Sequence, residues 1–480
     1  MPRRALRLST ADGELREELA DIRRELEIPS AFPEAALAEA RIAASFRARP
    51  SVDLTEIPFV TIDPPASRDL DQAVHLSRNG RGFLVRYAIA DVAAFVLPGG
   101  ALDAETHQRG VTYYGPDDRA PLHPVELSEG AASLLPGPDR PALVWEFRLD
   151  SSGAVTGDPA VRRGVVRSKA KLSYEAVQRD LDDGTADGML ELLPIVGRLR
   201  QDLERSRGGV SLPLPEQEIV ETPDGLGIEY RSPLPIEGWN AQISLLTGMA
   251  AAAMMREAGI GVFRTVPEAN AASLARLRRT ARALDVPWPA DKAYAELIPS
   301  LDLTQPAHEA FVNEAAGLFR GSGYLAFDGA VPDSAAHAAI AAEYAHVTAP
   351  LRRLVDRYGL EICVATCAGA EVPGWVRDGL PEVQDIMAEA GRRARSYEGM
   401  CVAAVEAALL AGREGQRFDG VVVDMSESRE HGEPVSGEVV IRAPAVRGRV
   451  TGTDLPLGEK VTVSLVEASI PDRRIEFRLE

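Results

Sequence analysis

Apolar positions along this chain change rhythm more than once. Between residues 12 and 48 they recur at helical spacing: Leu15, Leu19, Ile22 and Leu26 form one stripe, with acids and arginines opposite. Ile28-Pro29-Ser30-Ala31-Phe32-Pro33 breaks the stripe, and residues 33–46 predict a second helix. From about 51 to 410 strand-like and helix-like runs mix. Residues 83–92 predict a strand, 241–256 a strongly apolar helix, and 383–410 a last helix carrying Arg392, Arg393, Arg395 and Glu398. After Gly412 the period becomes two. Segments 418–423, 437–441, 446–450, 460–465 and 474–477 predict five short strands, the strand count of an OB barrel. The pattern predicts an α+β protein in three parts. These are a helical lead-in over 1–50, a large mixed α/β body over 51–410 and a small C-terminal OB-fold barrel over 411–480.

Composition narrows the class. At 480 residues there is room for two or three domains. No apolar run approaches the roughly 20 residues that span a bilayer. Met1-Pro2-Arg3-Arg4-Ala5-Leu6 has no apolar signal core behind its arginines, so the expectation is a cytoplasmic protein with no membrane contact. Cys363, Cys367 and Cys401 form no paired framework, and none has histidines at zinc-site spacing nearby, which predicts buried free thiols. The net charge of −19 predicts weak binding to bulk duplex nucleic acid, where affinity comes from Lys and Arg on phosphates. A locally basic channel inside an acidic exterior remains open to it. No feature points to a protein partner, and the expected state is a monomer.

The densest chemistry lies in Thr61-Ile62-Asp63-Pro64-Pro65-Ala66-Ser67-Arg68-Asp69-Leu70-Asp71-Gln72-Ala73. A strand ending at Asp63, a Pro-rich turn and a resuming strand would bring Asp63, Asp69 and Asp71 near one point. Asp69 and Asp71 share a face of an extended segment. Clustered carboxylates repel unless a cation sits among them, and magnesium takes one or two carboxylates plus phosphate oxygens. Asp-Pro and Ser-x-Asp are also ordinary turn chemistry. The stretch resembles the first signature of the ribonuclease II (RNB) family of 3′-to-5′ exoribonucleases, Thr-Ile-Asp, a loop, then Asp-x-Asp-Asp-Ala. Gln72 stands where that pattern has its fourth acid. A carboxamide oxygen can coordinate a hard cation but brings no charge, which predicts weaker ion affinity.

Tyr344-Ala345-His346-Val347-Thr348-Ala349-Pro350-Leu351-Arg352-Arg353-Leu354-Val355-Asp356 resembles the family's second signature, with Ala349 and Leu354 as departures. A guanidinium stabilises charge building on a phosphoryl group, and by register Arg352 is the arginine at the scissile phosphate. Pro350 at a helix start would put Arg352 and Arg353 beside its positive end. The resemblance implies an exoribonuclease shortened at its N-terminus that degrades single-stranded RNA to nucleoside 5′-monophosphates. Magnesium would be its cofactor, with manganese as the alternative. Asp63, Asp69, Asp71 and Gln72 would hold the ion, and the three acids with Arg352 would carry catalysis. It further implies Tyr114 as a base-stacking residue, with Tyr113 as competitor, and His346, Arg353 and Glu398 as RNA contacts. Glu398 equally suits a solvated partner of Arg395. Asp91 fits a structural role better than a metal one. Ala241 and Gln242 occupy the place of a family Glu-Glu pair. In the barrel, Arg447, Arg449, Arg473 and Arg474 are the candidate phosphate contacts, and Phe418 and Phe477 fit its core. The rival reading keeps the fold and RNA binding but loses hydrolysis.

Overall fold

The computed structural model describes residues 13–45, 50–186, 188–212, 216–222, 225–302, 305–319, 321–333, 335–425 and 435–480. Helix α1 (Gly13–Glu25) buries the expected stripe, Leu15, Leu19 and Ile22, and helix α2 (Glu34–Ser45) buries Ala36 and Ala40. Strands β1 (Val60–Ile62), β2 (Gln72–Asn79) and β3 (Gly82–Ala90) follow, then α3 (Ala101–Arg109) and the short hairpin β4 (Tyr113–Tyr114) and β5 (Arg119–Ala120). Strands β6 (Arg140–Leu149), β7 (Ala160–Val166) and β8 (Ala170–Leu172) complete a six-stranded sheet of order β7-β6-β3-β2-β1-β8. All its neighbours are antiparallel except β1 and β8, where Thr61 pairs with Lys171.

Helices α4 (Tyr174–Asp182) and α5 (Met189–Ser206), hairpin β9 (Glu216–Thr222) and β10 (Gly225–Arg231), and α6 (Pro235–Ala258) come next. Strand β11 (Ile260–Thr265) pairs with β12 (Gly323–Asp328) across an excursion holding α7 (Ala271–Ala283), α8 (Tyr294–Leu297) and α9 (Pro306–Ala316). The two-residue strands β13 (Ala336–His337) and β14 (Ala342–Glu343) lead to α10 (Leu354–Cys367) and α11 (Gly374–Leu410). The small residues of α6 serve close approach. A Cβ on Gly248 would fall 2.0 Å from the Tyr344 ring, and its carbonyl accepts from Ala345 N at 3.0 Å. That seats the second signature directly on α6.

The period-two segment forms a closed barrel of β15 (Arg417–Met425), β16 (Val435–Arg442), β17 (Ala445–Gly452), β18 (Lys460–Ser469) and β19 (Arg474–Leu479), in the order β15-β16-β17-β19-β18. Phe418 and Phe477 are both in its core, edge to face at 6.0 Å. Helix α1 braces this barrel: Arg473 pairs with Glu18 at 2.6 Å and Glu25 at 2.7 Å, while Arg23 Nε donates to Tyr397 on α11 at 3.1 Å.

Three local expectations need correction. Helix α11 begins at Gly374, because buried Val376 and Leu380 extend its apolar face ahead of residue 383 despite Pro381. The helix after the second signature begins at Leu354, with Pro350 in the preceding turn. Asp356 holds that turn, accepting from Ala349 N at 2.7 Å and from Arg353 twice at 2.8 Å. Cys363 and Cys401 are buried thiols, but Cys367 is exposed.

Candidate functional site

The three acids emerge from one scaffold. Strand β1 lies between β2 and β8, and Asp63 follows it directly, its N–H donating to Leu172 O at 3.0 Å. The Pro-rich turn is clamped from β8: Lys171 Nζ donates to Pro65 O at 2.6 Å and to Ser67 O at 2.5 Å. Ser133 closes the other side, its hydroxyl donating to Arg68 O at 2.6 Å and accepting from Leu70 N at 2.9 Å. Asp69 and Asp71 flank Leu70, whose side chain is fully buried.

Burial and the Asp69 charge push the Asp63 carboxyl up to about 7, against the pull of Lys171 and Arg352. Asp69 pairs with Arg119 of the β4–β5 hairpin at 3.1 Å, and Arg119 also pairs with Glu129. Burial pushes Asp71 well up, opposed by Arg352 and by the Leu351 N–H. Asp63 and Asp69 offer hard carboxylate oxygens that repel one another in a largely dry setting. That donor set fits a hard divalent cation, which can draw its other ligands from phosphate and water. Among the described residues no three His, Cys, Asp or Glu side chains form a ready cage.

The second signature closes over these acids. Asp71 Oδ1 accepts from Leu351 N at 2.7 Å, and its Oδ2 lies 3.6 Å from Arg352 Nε. Thr112 N donates to Arg352 O at 3.0 Å, and His123 Nδ1 bonds Leu351 O at 3.1 Å. Gln72 reaches the same loop: its Nε2 donates to Thr348 O, while its Oε1 accepts from Tyr87 at 2.7 Å. Both ends of that amide are therefore occupied.

The Tyr114 hydroxyl is buried with no hydrogen-bond partner, and Asp69, Arg352, Asp71 and Arg119 all act on it. Tyr113 is fully buried and donates to Arg109 O at 3.1 Å, which makes it the structural member of the pair. His346 Nδ1 bonds Tyr324 at 2.9 Å; burial and the cations Arg353, Arg264 and Arg352 hold its imidazole well below its ordinary value. The Arg353 guanidinium is taken up by Asp356. Glu398 is exposed on α11. Asp91 is fully buried and grips Arg163 through both oxygens at 2.7 and 3.3 Å, the structural role expected.

Other positions depart from expectation. Gln242 is buried between α6 and α5, where it donates to Glu204. Arg447 is part of a junction: it bonds Asn313 at 3.2 Å, and its backbone N–H donates to Glu406 at 2.9 Å. Arg473 is bound to α1, and Arg474 pairs with Glu467. Arg449 remains exposed, on a groove of about 660 Å³ shared with Arg276 and Arg279. Sequence reasoning missed Lys171, Arg119 and Tyr174. Asn240 Nδ2 donates to the Tyr174 hydroxyl at 3.2 Å, and the Asp63 charge acts on that phenol.

An RNB domain matches residues 51–362, and an RNase II-type exonuclease C-terminal S1 domain matches residues 416–480. The chain belongs to the RNB family. It is 29% identical over 324 residues to ribonuclease R of Escherichia coli (strain K12), covering 64% of this chain and 39% of that protein. It is 40% identical over 136 residues to exoribonuclease 2 of Edwardsiella piscicida, covering 28% of this chain and 21% of that one. The chain thus matches less than half the length of either relative. The fold is shared with Mycoplasma genitalium RNase R, solved in complex with ribose methylated single-stranded RNA. The TM-score is 0.85 at 19% identity, over 98% of this chain and 78% of that one. No helix among the described residues is long and apolar enough to cross a membrane.

Proposed function

We propose that this protein is a magnesium-dependent 3′-to-5′ exoribonuclease that degrades single-stranded RNA to nucleoside 5′-monophosphates. The observation that carries the reading is the junction of the two signatures. Asp71 binds Leu351 N at 2.7 Å with one oxygen and faces Arg352 with the other, beside the Asp63 and Asp69 carboxylates. Asp63 and Asp69 would hold the ion, which when bound supplies Lewis acidity and an activated water. Arg352 is partly exposed and placed to take the charge that builds on a phosphoryl oxygen. Asp71 orients Arg352 and the loop carrying it. The Tyr114 ring suits stacking of a base, a contact worth roughly 1–3 kcal/mol and indifferent to sequence.

The experiment is a 5′-labelled oligoribonucleotide incubated with the full chain and magnesium, then manganese. A ladder shortening from the 3′ end, with nucleoside 5′-monophosphates as products, is the expected result. A second reading, an RNA-binding protein without hydrolysis, is favoured by the neutral Gln72 among the acids. RNA binding with no cleavage in either ion would establish it.

A further inference from the structure

Gln72 is where this chain leaves the pattern of the first signature, and its surroundings explain what an amide does there. The chain of bonds runs from α6 to the arginine loop. Ser244 on α6 lies 2.8 Å from the Tyr87 hydroxyl, Tyr87 donates to Gln72 Oε1 at 2.7 Å, and Gln72 Nε2 donates to Thr348 O. The orientation of the amide is fixed by chemistry. A backbone carbonyl only accepts, so the NH₂ must face Thr348 and the oxygen must face Tyr87. Tyr87 is fully buried on β3, across from Val74 of β2, so this donor cannot swing away.

A carboxylate would not serve here. A glutamate could accept from Tyr87, but its second oxygen would meet Thr348 O, and two acceptors face to face repel; an aspartate, one methylene shorter and with no donor, cannot bridge the two partners. Four residues beyond that carbonyl stands Arg352, in a loop whose later residues are held by Asp71 on Leu351 N, Asp356 on Ala349 N, His123 on Leu351 O and Thr112 N on Arg352 O. We propose that Gln72 is a positioning residue: its amide ties the start of the arginine loop to the sheet, in place of a fourth acid at the ion. The inference rests on the exonuclease reading for its kinetic consequence, but the tether itself is a property of the folded chain.

The test uses the full chain and the variants Gln72→Asp, Gln72→Ala, Arg352→Ala and both Gln72 changes combined with Arg352→Ala. Single-turnover cleavage is measured across magnesium concentrations, and backbone hydrogen exchange of residues 346–353 is measured in EDTA. Gln72→Asp and Gln72→Ala are expected to slow cleavage at saturating RNA at least tenfold, with the half-saturating magnesium unchanged. Each double variant should be no slower than Arg352→Ala alone, because Gln72 acts through that loop. Exchange of the loop amides should rise in both variants without any metal present. A faster Gln72→Asp enzyme, a shifted magnesium requirement or multiplicative losses in the double variants would make residue 72 a ligand and overturn the proposal. Should Gln72→Asp fail to fold, Tyr87→Phe removes the donor to Oε1, and the loop amides should again exchange faster; unchanged exchange overturns the tether. If the wild type cleaves nothing, the exonuclease reading falls and the exchange measurement alone decides.

Discussion

Asp71 is the residue on which both signatures converge, and its two oxygens have separate tasks. One accepts the Leu351 N–H at 2.7 Å, and the other faces Arg352 Nε at 3.6 Å. Asp71→Asn can keep the first contact but turns an NH₂ toward the guanidinium, donor against donor. Cleavage should fall by about 10²-fold or more, the scale set by losing one aligned electrostatic partner. Affinity for single-stranded RNA in EDTA should stay within about twofold, because phosphate contacts elsewhere supply binding. Turnover close to wild type would remove Asp71 from the mechanism. The acids were legible from spacing and resemblance together. Their partners were not: Lys171, Arg119 and Tyr174 reach the site through pairings that no local pattern encodes.

At the scale of elements, the register between β1 and β8 explains why. The parallel pairing sets Lys171 beside Thr61, more than a hundred residues away in the chain, and so delivers its ammonium over the Pro65 and Ser67 carbonyls. Periodicity reveals a strand but not its neighbour, so the clamp was invisible while the α1 stripe and the five barrel strands were plain. The misplaced helix start at Pro350 has a similar origin. Proline permits a first turn, but Asp356 binding Ala349 N and Arg353 holds a tighter turn and delays α10 to Leu354. Lys171→Met keeps the aliphatic stem and removes the donor. It should destabilise the fold by about 1–2 kcal/mol, two hydrogen bonds at ordinary net strength, and raise the magnesium needed for half-maximal cleavage several-fold. Denaturant melts and a magnesium titration measure both. An unchanged magnesium requirement would mean that the turn keeps its shape without the clamp.

On the scale of the whole molecule, the net charge is −19 although 49 of the 53 basic residues are arginine, and several of the arginines expected to grip RNA are instead internal fastenings. Arg473 holds α1, and Arg447 sits between the barrel, α9 and α11, so Arg447→Ala should cost stability. Arg449 is exposed, and Arg449→Glu should weaken binding to long single strands and flatten the salt slope by about one, one phosphate contact. Equal slopes would take the Arg449 face out of the RNA path. The same junction titrates. Burial pushes Glu406 up to about 7, while Gln217 Nε2 at 2.6 Å and Arg447 N at 2.9 Å pull the other way. The folded state therefore keeps a proton that the unfolded chain releases near 4.5. The resulting stabilisation is complete below that value, drains away as pH rises, and is gone above about 7. Glu406→Gln does not titrate and can keep both acceptor contacts through its amide oxygen. Its stability relative to wild type should climb between pH 4.5 and 7 by on the order of 1–3 kcal/mol and stay level from there to pH 9. Denaturant unfolding of both proteins across that range measures the difference. A gap that does not change with pH would mean that Glu406 ionises in the folded protein as freely as in the unfolded chain, and that the junction between barrel and body carries no buried proton.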